Sequence, residues 1–410
     1  MKCGLIGETL VYSYSPMIHS KLGDYEYELK EIPKDDLEDF IKNGDWDGLN
    51  VTIPYKKSVI PFCESLSEEA RAIGSVNTLV KDSEGKITGY NTDLFGFVSM
   101  ANRSKIEVKE AKILILGSGG ASNTARYALE KMDAGEIIII SRNGEDNYNN
   151  IEKHYDADII VNTTPVGMFP DADNYPLNIS GFKKLKGIID IVYNPVRTGL
   201  ILQAEKLGIP FIGGLHMLVA QAAQSSAIFT GIPVSEEKID LIARFIRDRM
   251  ENIILIGMPG CGKTTIAAML GKKLEREVFD VDRLIKERTD MSIRSLMESF
   301  GEKGFRVLES RALCEIAQES GLIISTGGGC VVERENYDHL HRNGRIVWIK
   351  RDLNKLPKEG RPISETTDIN VLYEERAPLY EAFADIVINN DGTVEEAADN
   401  IIEELDKKYK

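Results

Sequence analysis

The 410-residue sequence predicts an α/β protein with several domains. Apolar runs of strand length alternate with segments of helical periodicity, which is typical of parallel sheets covered by helices. Two of these runs, AKILILG and NIILIG, each lead into a glycine-rich turn that opens a predicted helix. A helix N-terminus presents unpaired N–H groups and the positive end of the helix dipole, so each turn is a candidate phosphate-binding loop. Because the two turns differ in sequence, they indicate two different nucleotide sites.

The first hundred residues predict an open sheet. CGLIG reads as a strand, LNVTIPYK as a strand that ends at Pro54, and SVNTLV and KITGYNTD as a hairpin around DSEG. A βαβ pattern then runs from AKILILG through the helix ASNTARYALEKM to the strand EIIIIS, and the strands DIIVN and GIIDIVY follow. This alternation predicts a Rossmann-type dinucleotide-binding domain with a parallel sheet at 101–215.

Two helices separate this domain from a second parallel sheet. HMLVAQAAQSSAIFTG and SEEKIDLIARFIRDRM read as helices, the latter with Ser235 as N-cap, and we expect the helices at about 216–249 to complete the domain formed by 1–100. No Pro-, Gly- or Ser-rich linker follows, so a domain boundary is predicted near Met250 to Asn252. The strands IILIG, EVFDVD, LIISTGGG, RIVWIK and DIVI alternate with helices such as TTIAAMLGKKL and SIRSLMESF. They predict an α/β domain with a parallel sheet at 252–410.

Composition limits the class of partner. The formal net charge of −15 disfavours nucleic acid and anionic membranes as partners. The five cysteines are odd in number and form no CxxC pair, which favours a reducing compartment over a disulfide framework or a zinc site. No signal-peptide core or membrane-spanning apolar run is present. We therefore expect a cytoplasmic protein with small-molecule substrates and no nucleic-acid or membrane partner, whereas its sequence leaves monomer and homodimer open.

The second glycine-rich turn matches the P-loop pattern G-x-x-x-x-G-K-[ST] from Gly257 to Thr264. Its backbone would surround phosphate, Lys263 would neutralise the β- and γ-phosphates, and the Thr264 hydroxyl would bind Mg²⁺ together with Asp280. Cys261 is interpreted as a small residue that fits the loop rather than as a reactive thiol. The predicted ATP-binding residues in this loop are Gly257, Gly260, Cys261, Gly262, Lys263, Thr264 and Thr265.

Three further clusters narrow the class of this domain. Asp280 and Asp282 in FDVD could serve a metal and an acceptor hydroxyl, and the alternative is a solvated acidic loop. Arg306 and Glu309 are one helical turn apart, which alone fits a surface ion pair better than a binding site. The consecutive glycines of STGGG indicate that something approaches their backbone closely.

In this order, the P-loop, Asp280-x-Asp282, GEKGFRVLE, STGGG, Arg361-Pro362 and RAPLY resemble a shikimate kinase from Asn252 to the C-terminus. The resemblance implies that Asp282 is the catalytic residue that orients the attacking hydroxyl and that Arg361 closes on the nucleotide phosphates. The lid RDLNKLPKEGRPIS is short for the family. By the same resemblance, shikimate is bound by Asp282, Arg306, Gly328, Gly329 and Arg376, with the two arginines on its carboxylate.

The first glycine-rich turn, GSGGAS, matches G-x-G-x-x-G in part, because Ser122 replaces the third glycine. A structural glycine turn is the alternative interpretation. The next strand ends in Ser141-Arg142 without an acidic residue, so Arg142 is expected to bind a 2′-phosphate and the cofactor to be NADP(H); a solvated arginine is the alternative. The predicted NADP-binding residues are Gly117, Gly119, Gly120, Ala121, Ser122, Arg142 and Gly214.

Lys56 and Asp93 are candidate catalytic residues, because reduction of a ketone forms an alkoxide to which a lysine fixed by a carboxylate can give a proton. Their spacing alone fits a surface ion pair better. However, YSYSP with His19, NVTIPYK, IGSVNTL, GYNTD, GSGGAS, NTTPVGM, DIVYNP and GGLHMLVAQA resemble a shikimate dehydrogenase in order, from Met1 to about Met250. The resemblance implies Lys56 and Asp93 as the catalytic pair. It also implies shikimate binding by Ser13, Ser15, Thr52, Asn77, Tyr193 and Gln221.

The two resemblances together predict a bifunctional enzyme of aromatic amino-acid biosynthesis. Its first half would reduce 3-dehydroshikimate with NADPH, and its second half would transfer the ATP γ-phosphate to the shikimate 3-hydroxyl with Mg²⁺. The alternatives are a quinate or quinate/shikimate dehydrogenase half that uses NAD, a non-catalytic regulator built from the same domains, and a half retained only as a scaffold. Retention of Lys56, Asp93, Lys263 and Asp282 disfavours the regulator.

Overall fold

The computed structural model describes residues 1–10, 13–356 and 368–407. The chain forms two compact units: unit 1 consists of Met1–Asn194 and Thr198–Arg247, and unit 2 of Pro195–Arg197 and Asp248–Lys410. The predicted lid residues Arg361 and Pro362 lie outside the described residues. The finer division of unit 1 at residues 100 and 215 stays a prediction.

Unit 1 begins with a mixed six-stranded sheet of order β2-β1-β3-β5-β6-β4. In this sheet β1, β2 and β3 are parallel, whereas β5 is antiparallel to both β3 and β6. The predicted hairpin around DSEG is therefore confirmed, and its turn is closed by a hydrogen bond from Gly85 N to Asp82 O (3.0 Å). The strands are β1 (Lys2–Gly7), β2 (Glu26–Glu31), β3 (Gly48–Val51), β4 (Ser65–Leu66), β5 (Thr78–Lys81) and β6 (Ile87–Tyr90), and the helices are α1 (Ser15–Leu22), α2 (Leu37–Asn43) and α3 (Glu68–Ile73).

The strand that was expected to end at Pro54 ends at Val51. Thr52 N still donates to Ile6 O of β1 (2.9 Å), but Thr52 O already accepts from Tyr55 N (2.9 Å), so a turn replaces the ladder. Lys56 consequently lies in a turn beyond the carboxyl end of β3, where its backbone O accepts from Val76 N (2.8 Å).

A five-stranded, fully parallel sheet of order β11-β10-β9-β7-β8 forms the second part of unit 1, as predicted for a Rossmann-type domain. The apolar run of β7 is buried because helices cover both faces of such a sheet. Its strands are β7 (Lys112–Leu116), β8 (Glu136–Ile140), β9 (Ile159–Asn162), β10 (Gly187–Asp190) and β11 (Phe211–Gly213). The further helices up to the start of unit 2 are α4 (Asp93–Ser104), α5 (Gly120–Lys131), α6 (Gly199–Leu207), α7 (Leu215–Thr230) and α8 (Glu236–Met250).

Two predicted features at the ends of these elements are confirmed and one is wrong. Gly231 ends α7 in the left-handed conformation (φ 73°), and the Ser235 hydroxyl accepts from Lys238 N (3.3 Å) at the start of α8. The predicted strand GIIDIVY stops at Asp190, because the carboxylate of Asp190 binds Val192 N (3.0 Å) in place of a ladder partner.

Unit 2 contains a five-stranded parallel sheet of order β13-β14-β12-β15-β16, as predicted. Its strands are β12 (Asn252–Ile256), β13 (Val278–Asp280), β14 (Ile323–Ser325), β15 (Gly344–Lys350) and β16 (Ile386–Asn389). The helices are α9 (Lys263–Leu274), α10 (Val281–Thr289), α11 (Ile293–Ile316), α12 (Glu335–Arg342), α13 (Ile369–Phe383) and α14 (Val394–Lys407). The short 3₁₀ helices of the described residues are Lys34–Asp36, Ile60–Phe62 and Ile151–His154 in unit 1 and Leu353–Lys355 in unit 2.

Helices in unit 2 differ from the sequence expectation at two places. The segment EVFDVD is a strand only to Asp280, since the Asp280 carboxylate caps α10 by accepting from Arg283 N (3.1 Å). The predicted helix SIRSLMESF continues to Ile316 in α11 after a break at Gly301 (φ 69°). Across the described part of the chain, no helix combines the length and apolar character needed to cross a membrane.

Candidate active sites

Lys56 and Asp93 form an ion pair, which we call the Lys56 pair. Lys56 Nζ lies 2.6 Å from Asp93 Oδ2, and the two side chains are 30% and 16% exposed. Asp93 is the first residue of α4, whereas Lys56 comes from the turn after β3. The carboxylate is therefore largely shielded while the ammonium remains accessible, which is the arrangement needed for a fixed proton donor.

Asn77 holds the second oxygen of Asp93. Asn77 Nδ2 donates to Asp93 Oδ1 (2.9 Å), and Asn77 Oδ1 accepts from Thr92 N (2.7 Å). Because a backbone N–H only donates, the Thr92 contact fixes which way the Asn77 amide faces. Asn77, expected as a substrate ligand, is thus also a direct partner of the Lys56 pair, a contact for which the sequence held no signal.

The helix that carries Gln221 lies against the helix that begins at Asp93. A Cβ on Gly96 of α4 would be only 2.7 Å from Met217 O and 3.0 Å from Gln221 Cβ, so α4 and α7 touch at a residue that must be small. Gly96 follows Asp93 by three residues, about one helical turn. Gln221 is therefore close to the Lys56 pair.

The remaining expected substrate residues lie at the N-terminus of α1, after β3 and after β10. Ser13 Oγ accepts from Ser15 N (3.2 Å), and the ring of Tyr14 between them meets the ring of Tyr193 edge-on at 6.5 Å. Burial raises the pKa of Tyr193. Thr52 begins the turn after β3. The Ser13–Ser15 segment and Tyr193 thus share one neighbourhood through Tyr14.

The turn between β7 and α5 leaves open space at the N-terminus of a helix. Gly117 has φ 105° and is crowded by Thr163 and Thr164, whereas a Cβ on Gly119 or Gly120 would meet no atom within 4 Å. The chain therefore requires glycine at 117 for its own conformation, while the space beyond 119 and 120 can admit a diphosphate.

Four other expected cofactor residues lie in α5, after β8 and before α7. Ala121 is half-buried and Ser122 is fully buried in α5, so the Ser122 side chain packs inside rather than toward a cofactor. Gly214 precedes α7, and its N donates to Val192 O (3.0 Å). Arg142 is exposed in the turn after β8, as a residue that binds a 2′-phosphate should be.

Asp190 is a buried carboxyl that the sequence did not single out. Its Oδ1 accepts from Asn162 Nδ2 (2.9 Å) and Val192 N (3.0 Å), and its Oδ2 accepts from Thr198 Oγ1 (2.7 Å). Burial raises the pKa of Asp190 to about 6, although these hydrogen bonds act in the opposite direction. Because Asn162 Oδ1 accepts from Thr164 N and Oγ1, Asp190 indirectly holds the segment that crowds Gly117. An acidic residue within the run GIIDIVY is the only sequence signal of this site.

Unit 2 has a cavity of about 470 Å³ at the carboxyl ends of its strands, which we call the P-loop cavity. Six separated segments contribute to it, and they carry most of the residues expected to bind nucleotide, metal and substrate. Its lining includes Gly260, Gly262, Lys263, Thr264, Thr265, Asp280, Asp282, Arg306, Gly328, Gly329 and Arg376.

The P-loop surrounds its own lysine. Gly257, Gly260 and Gly262 have φ values of 143°, 85° and 102°, which favour glycine and let N–H groups turn inward. Lys263 Nζ donates to the backbone O atoms of Gly257 (2.8 Å) and Met258 (3.1 Å). The ammonium is therefore already positioned inside the loop.

Cys261 is fully buried in the P-loop, as expected for a small residue that fits. Its O accepts from Asn390 Nδ2 (2.7 Å), a contact from the end of β16 that the sequence did not indicate. Asn390 also lies against Gly262, where any Cβ would approach its Nδ2 to 2.5 Å.

Thr264 and Asp280 place two oxygen ligands side by side. Thr264 Oγ1 donates to Asp280 Oδ2 (2.8 Å), and hydroxyl and carboxylate oxygens are ligands that Mg²⁺ prefers. Burial raises the pKa of Asp282, and the charge of Asp280 raises it further, whereas Lys263 and Arg306 oppose the shift. Asp282 is consequently a stronger base than an exposed aspartate.

Arg306 and Glu309 form a buried ion pair, so the surface interpretation is wrong. Their side chains are 5% and 1% exposed, and Arg306 Nη1 donates to Glu309 Oε2 at 2.5 Å. Burial raises the pKa of Glu309, and Arg306 acts against this shift. Gly327 and Gly329 lie directly on this pair, because a Cβ at either position would overlap Glu309 or the Arg306 guanidinium.

The middle glycine has different neighbours. A Cβ on Gly328 would lie 2.6 Å from Cγ of Pro259, and Gly328 O accepts from Arg376 Nη1 (3.0 Å) and from Tyr380 Oη. The three glycines therefore allow a strand end to lie against two buried arginines. Both guanidinium groups border the same cavity, where they can bind one anionic ligand.

Two different protein families match the two parts of the chain. Residues 5–79 match the family model for the shikimate dehydrogenase substrate binding domain, and residues 259–406 match that for shikimate kinase. The chain is 37% identical over 269 residues to a shikimate dehydrogenase (NADP(+)) from Clostridium perfringens, which covers 59% of this chain and 98% of that protein.

Solved structures give the same result for the first part of the chain. A chorismate mutase/shikimate 5-dehydrogenase fusion protein from Clostridium acetobutylicum matches with a TM-score of 0.57 and 36% identity, over 60% of this chain and 97% of that one. A quinate dehydrogenase from Corynebacterium glutamicum in complex with NAD matches with a TM-score of 0.55 and 27% identity, over 60% and 98%.

Proposed function

The chain belongs to the shikimate dehydrogenase family and carries a C-terminal domain that matches shikimate kinase, and on this premise we propose that it performs two reactions on one cyclohexene acid. The first is reduction of 3-dehydroshikimate to shikimate with NADPH, and the second is ATP-dependent phosphorylation of shikimate to shikimate 3-phosphate. The observation that carries this proposal is the presence of the Lys56 pair and the P-loop cavity in one chain.

The residues of unit 1 fit a bound NADP(H). Gly119 and Gly120 leave space for the diphosphate at the N-terminus of α5, and the exposed Arg142 can pair with a 2′-phosphate. NADPH supplies the hydride for reduction of the ketone. The curated relative from Clostridium perfringens is named for NADP(+), which supports the same choice.

Lys56 is the proton donor of this reaction. Its ammonium is held 2.6 Å from Asp93, so it can give a proton to the carbonyl oxygen of the substrate as negative charge develops there. Asp93 remains a carboxylate that orients and stabilises the ammonium, and Asn77 orients Asp93. Ser13, Ser15, Thr52, Tyr193 and Gln221 are proposed to bind the ring hydroxyls and the carboxylate of the substrate.

Phosphoryl transfer in unit 2 depends on alignment and on neutralisation of charge. The two arginines, Arg306 and Arg376, are proposed to bind the shikimate carboxylate, which directs the 3-hydroxyl toward Asp282. Asp282 orients this hydroxyl and accepts its proton, a role that its raised pKa favours. Lys263 neutralises the β- and γ-phosphates from its position inside the P-loop.

The oxygen atoms of Thr264 and Asp280 fit a Mg²⁺ ion, because they lie 2.8 Å apart at the mouth of the P-loop. The ion supplies neutralisation of charge on the phosphates of ATP.

The chain also forms no disulfide among its five cysteines, which supports a cytoplasmic place of action.

A dehydrogenase half that prefers quinate and NAD is the second candidate, because a quinate dehydrogenase in complex with NAD shares the fold. Steady-state rates with shikimate and quinate, each with NADP⁺ and NAD⁺, separate the two. We expect the highest kcat/KM with shikimate and NADP⁺.

The whole proposal is tested by incubating the chain with 3-dehydroshikimate, NADPH and MgATP and resolving the products by mass. Lys56→Ala is expected to abolish reduction and spare phosphorylation of added shikimate, and Lys263→Ala is expected to do the reverse. The exposed neighbours Lys57→Ala and Lys272→Ala are matched controls that should keep both activities. A wild-type chain that makes neither shikimate nor shikimate 3-phosphate contradicts the proposal.

A further inference from the structure

Ser225 lies at the centre of a buried hydrogen-bond network next to the Lys56 pair. It is fully buried on α7, one turn after Gln221. Its Oγ lies 2.8 Å from Asn50 Nδ2, 2.9 Å from Thr78 Oγ1 and 3.0 Å from Thr92 Oγ1. These partners come from β3, from β5 and from the residue that precedes α4, so one hydroxyl joins three other elements.

One assignment of donors and acceptors connects Ser225 to Asn77 through Thr92, and it leaves the Thr78 hydroxyl to donate to Asn77 Oδ1 (3.2 Å). The Ser225 hydroxyl donates to Gln221 O (3.0 Å), the usual bond of a buried serine in a helix. Its lone pairs then accept from Asn50 Nδ2 and from the Thr92 hydroxyl. Because Thr92 donates its hydrogen to Ser225, its own lone pair is available to Asn77 Nδ2 at 3.0 Å.

Asn77 carries the network to the catalytic pair. Its Nδ2 also donates to Asp93 Oδ1 (2.9 Å), and Asp93 Oδ2 binds Lys56 Nζ (2.6 Å). Three hydrogen bonds in series therefore connect Ser225 to Asp93, through Thr92 and Asn77. Asn77 and Thr92 are both buried, so water does not compete for these bonds.

The opposite end of the network reaches the expected substrate-binding segment. Tyr27 Oη donates to Asn50 Oδ1 (2.7 Å), and the Tyr27 ring stacks on His19 of α1 with centroids 3.8 Å apart. Burial raises the pKa of Tyr27, and the side chain of Ser15 acts against this shift, which indicates that Ser15 lies beside the Tyr27 hydroxyl. The network thus extends from Ser15, a proposed substrate ligand, to the Lys56 pair.

We propose that Ser225 is a positioning residue of the dehydrogenase reaction, which sets the orientation of Asp93 through Thr92 and Asn77 and thereby directs the ammonium of Lys56 at the substrate carbonyl. The proposal rests on the catalytic roles proposed above for Lys56 and Asp93. Ser225 itself touches neither substrate nor cofactor in this mechanism, so its main effect is expected in the rate of the chemical step rather than in substrate binding.

Ser225→Ala removes the acceptor that Thr92 and Asn50 share. We expect kcat for reduction of 3-dehydroshikimate to fall about tenfold, which corresponds to about 1.4 kcal/mol, with KM for 3-dehydroshikimate changed less than about twofold. With NADPH deuterated at the transferred position, the isotope effect on kcat should increase, because the step that contains hydride transfer becomes slower relative to product release. A preparation that had merely lost folded protein would show lower activity with an unchanged isotope effect.

Ser226→Ala is the matched control. Ser226 is the next residue of α7 and is also buried, but its hydroxyl acts on Tyr25 and lies outside the series of bonds that connects Ser225 to Asp93. Its kcat and isotope effect should equal those of the wild type.

Thr92→Val breaks the same series of bonds from the other side. Its effect should not add to that of Ser225→Ala in the double variant, because one broken bond already disconnects the series.

The result that overturns this proposal is a Ser225→Ala variant with wild-type kcat, or one that loses activity with an unchanged isotope effect. Fully additive effects of Ser225→Ala and Thr92→Val would overturn it as well. If the wild type itself did not reduce 3-dehydroshikimate, the proposed function would fail instead, and the same assay distinguishes these two failures.

Discussion

Replacement of Asp190 by asparagine is expected to stabilise unit 1 at neutral and basic pH. Burial raises the pKa of Asp190 to about 6 from an ordinary value of 3.8, so hydrogen bonds from Thr198, Val192 and Asn162 do not fully replace its lost hydration. Asparagine keeps an acceptor for Asn162 and Val192, and the Thr198 hydroxyl can rotate to accept from the new amide.

The sign and size of this effect follow from proton linkage. The folded protein binds the Asp190 proton more tightly than the unfolded chain, so the stability that this carboxyl contributes is complete below about pH 3.8 and is lost as the pH rises through about 6. The difference of about 2.2 pKa units corresponds to about 3 kcal/mol at pH 8 and to about half of that at pH 5. Asparagine carries no such cost, so its advantage should grow by about 1.5 kcal/mol between pH 5 and pH 8.

Tryptophan fluorescence can report this change for unit 1 alone. The chain has two tryptophans, Trp46 in unit 1 and Trp348 in unit 2. In a Trp348→Phe background, urea unfolding followed at Trp46 measures the free energy of unfolding of unit 1 with and without Asp190→Asn. An advantage that is equal at pH 5 and pH 8, or a loss of stability at pH 8, would refute the reasoning.

Three further predictions concern ligand binding. Gly119→Ala should leave Tm unchanged, because its Cβ would meet no protein atom within 4 Å. It should raise KM for NADPH about tenfold in a steady-state assay, because the added methyl group occupies the space proposed for the diphosphate. An unchanged KM would place the diphosphate elsewhere. Arg142→Ala should raise KM for NADPH about tenfold but not that for NADH, and equal changes would contradict a 2′-phosphate contact. Arg306→Lys should raise KM for shikimate at least about tenfold in the kinase assay, because lysine cannot bind Glu309 and a carboxylate in one plane; the dehydrogenase rate measured beside it should not change.

Parts of this fold could be predicted because their signals are local. The continuous apolar runs of β7 and β12 indicate strands buried on both faces, and the P-loop is a contiguous pattern between a strand and a helix. The ends of strands were less predictable. At Val51, Asp190 and Asp280 the ladder stops because a turn or a carboxylate supplies the next partner, and hydropathy does not report such partners.

The candidate sites likewise contain features that the sequence predicts and features that it does not. Spacing placed Arg306 and Glu309 on one helical face, but their burial depends on glycines of STGGG, which lie in another segment of the chain. The network at Ser225 could not be predicted at all, because its hydroxyl and amide groups come from β3, β5, α7 and the start of α4. Serine, threonine and asparagine occur on most surfaces, so no single-sequence pattern shows which of them meet.

The attachment of Asp93 has a mechanical consequence. Its carboxylate binds Lys56, which follows β3, and Asn77, which precedes β5, whereas the helix that it begins packs through Phe97 and Met100 into the apolar core of the parallel sheet. Any hinge motion that widened the gap between the two sheets would have to stretch this ion pair or carry the helix along. In the proposed mechanism, delivery of the proton by Lys56 therefore depends on the width of the cleft.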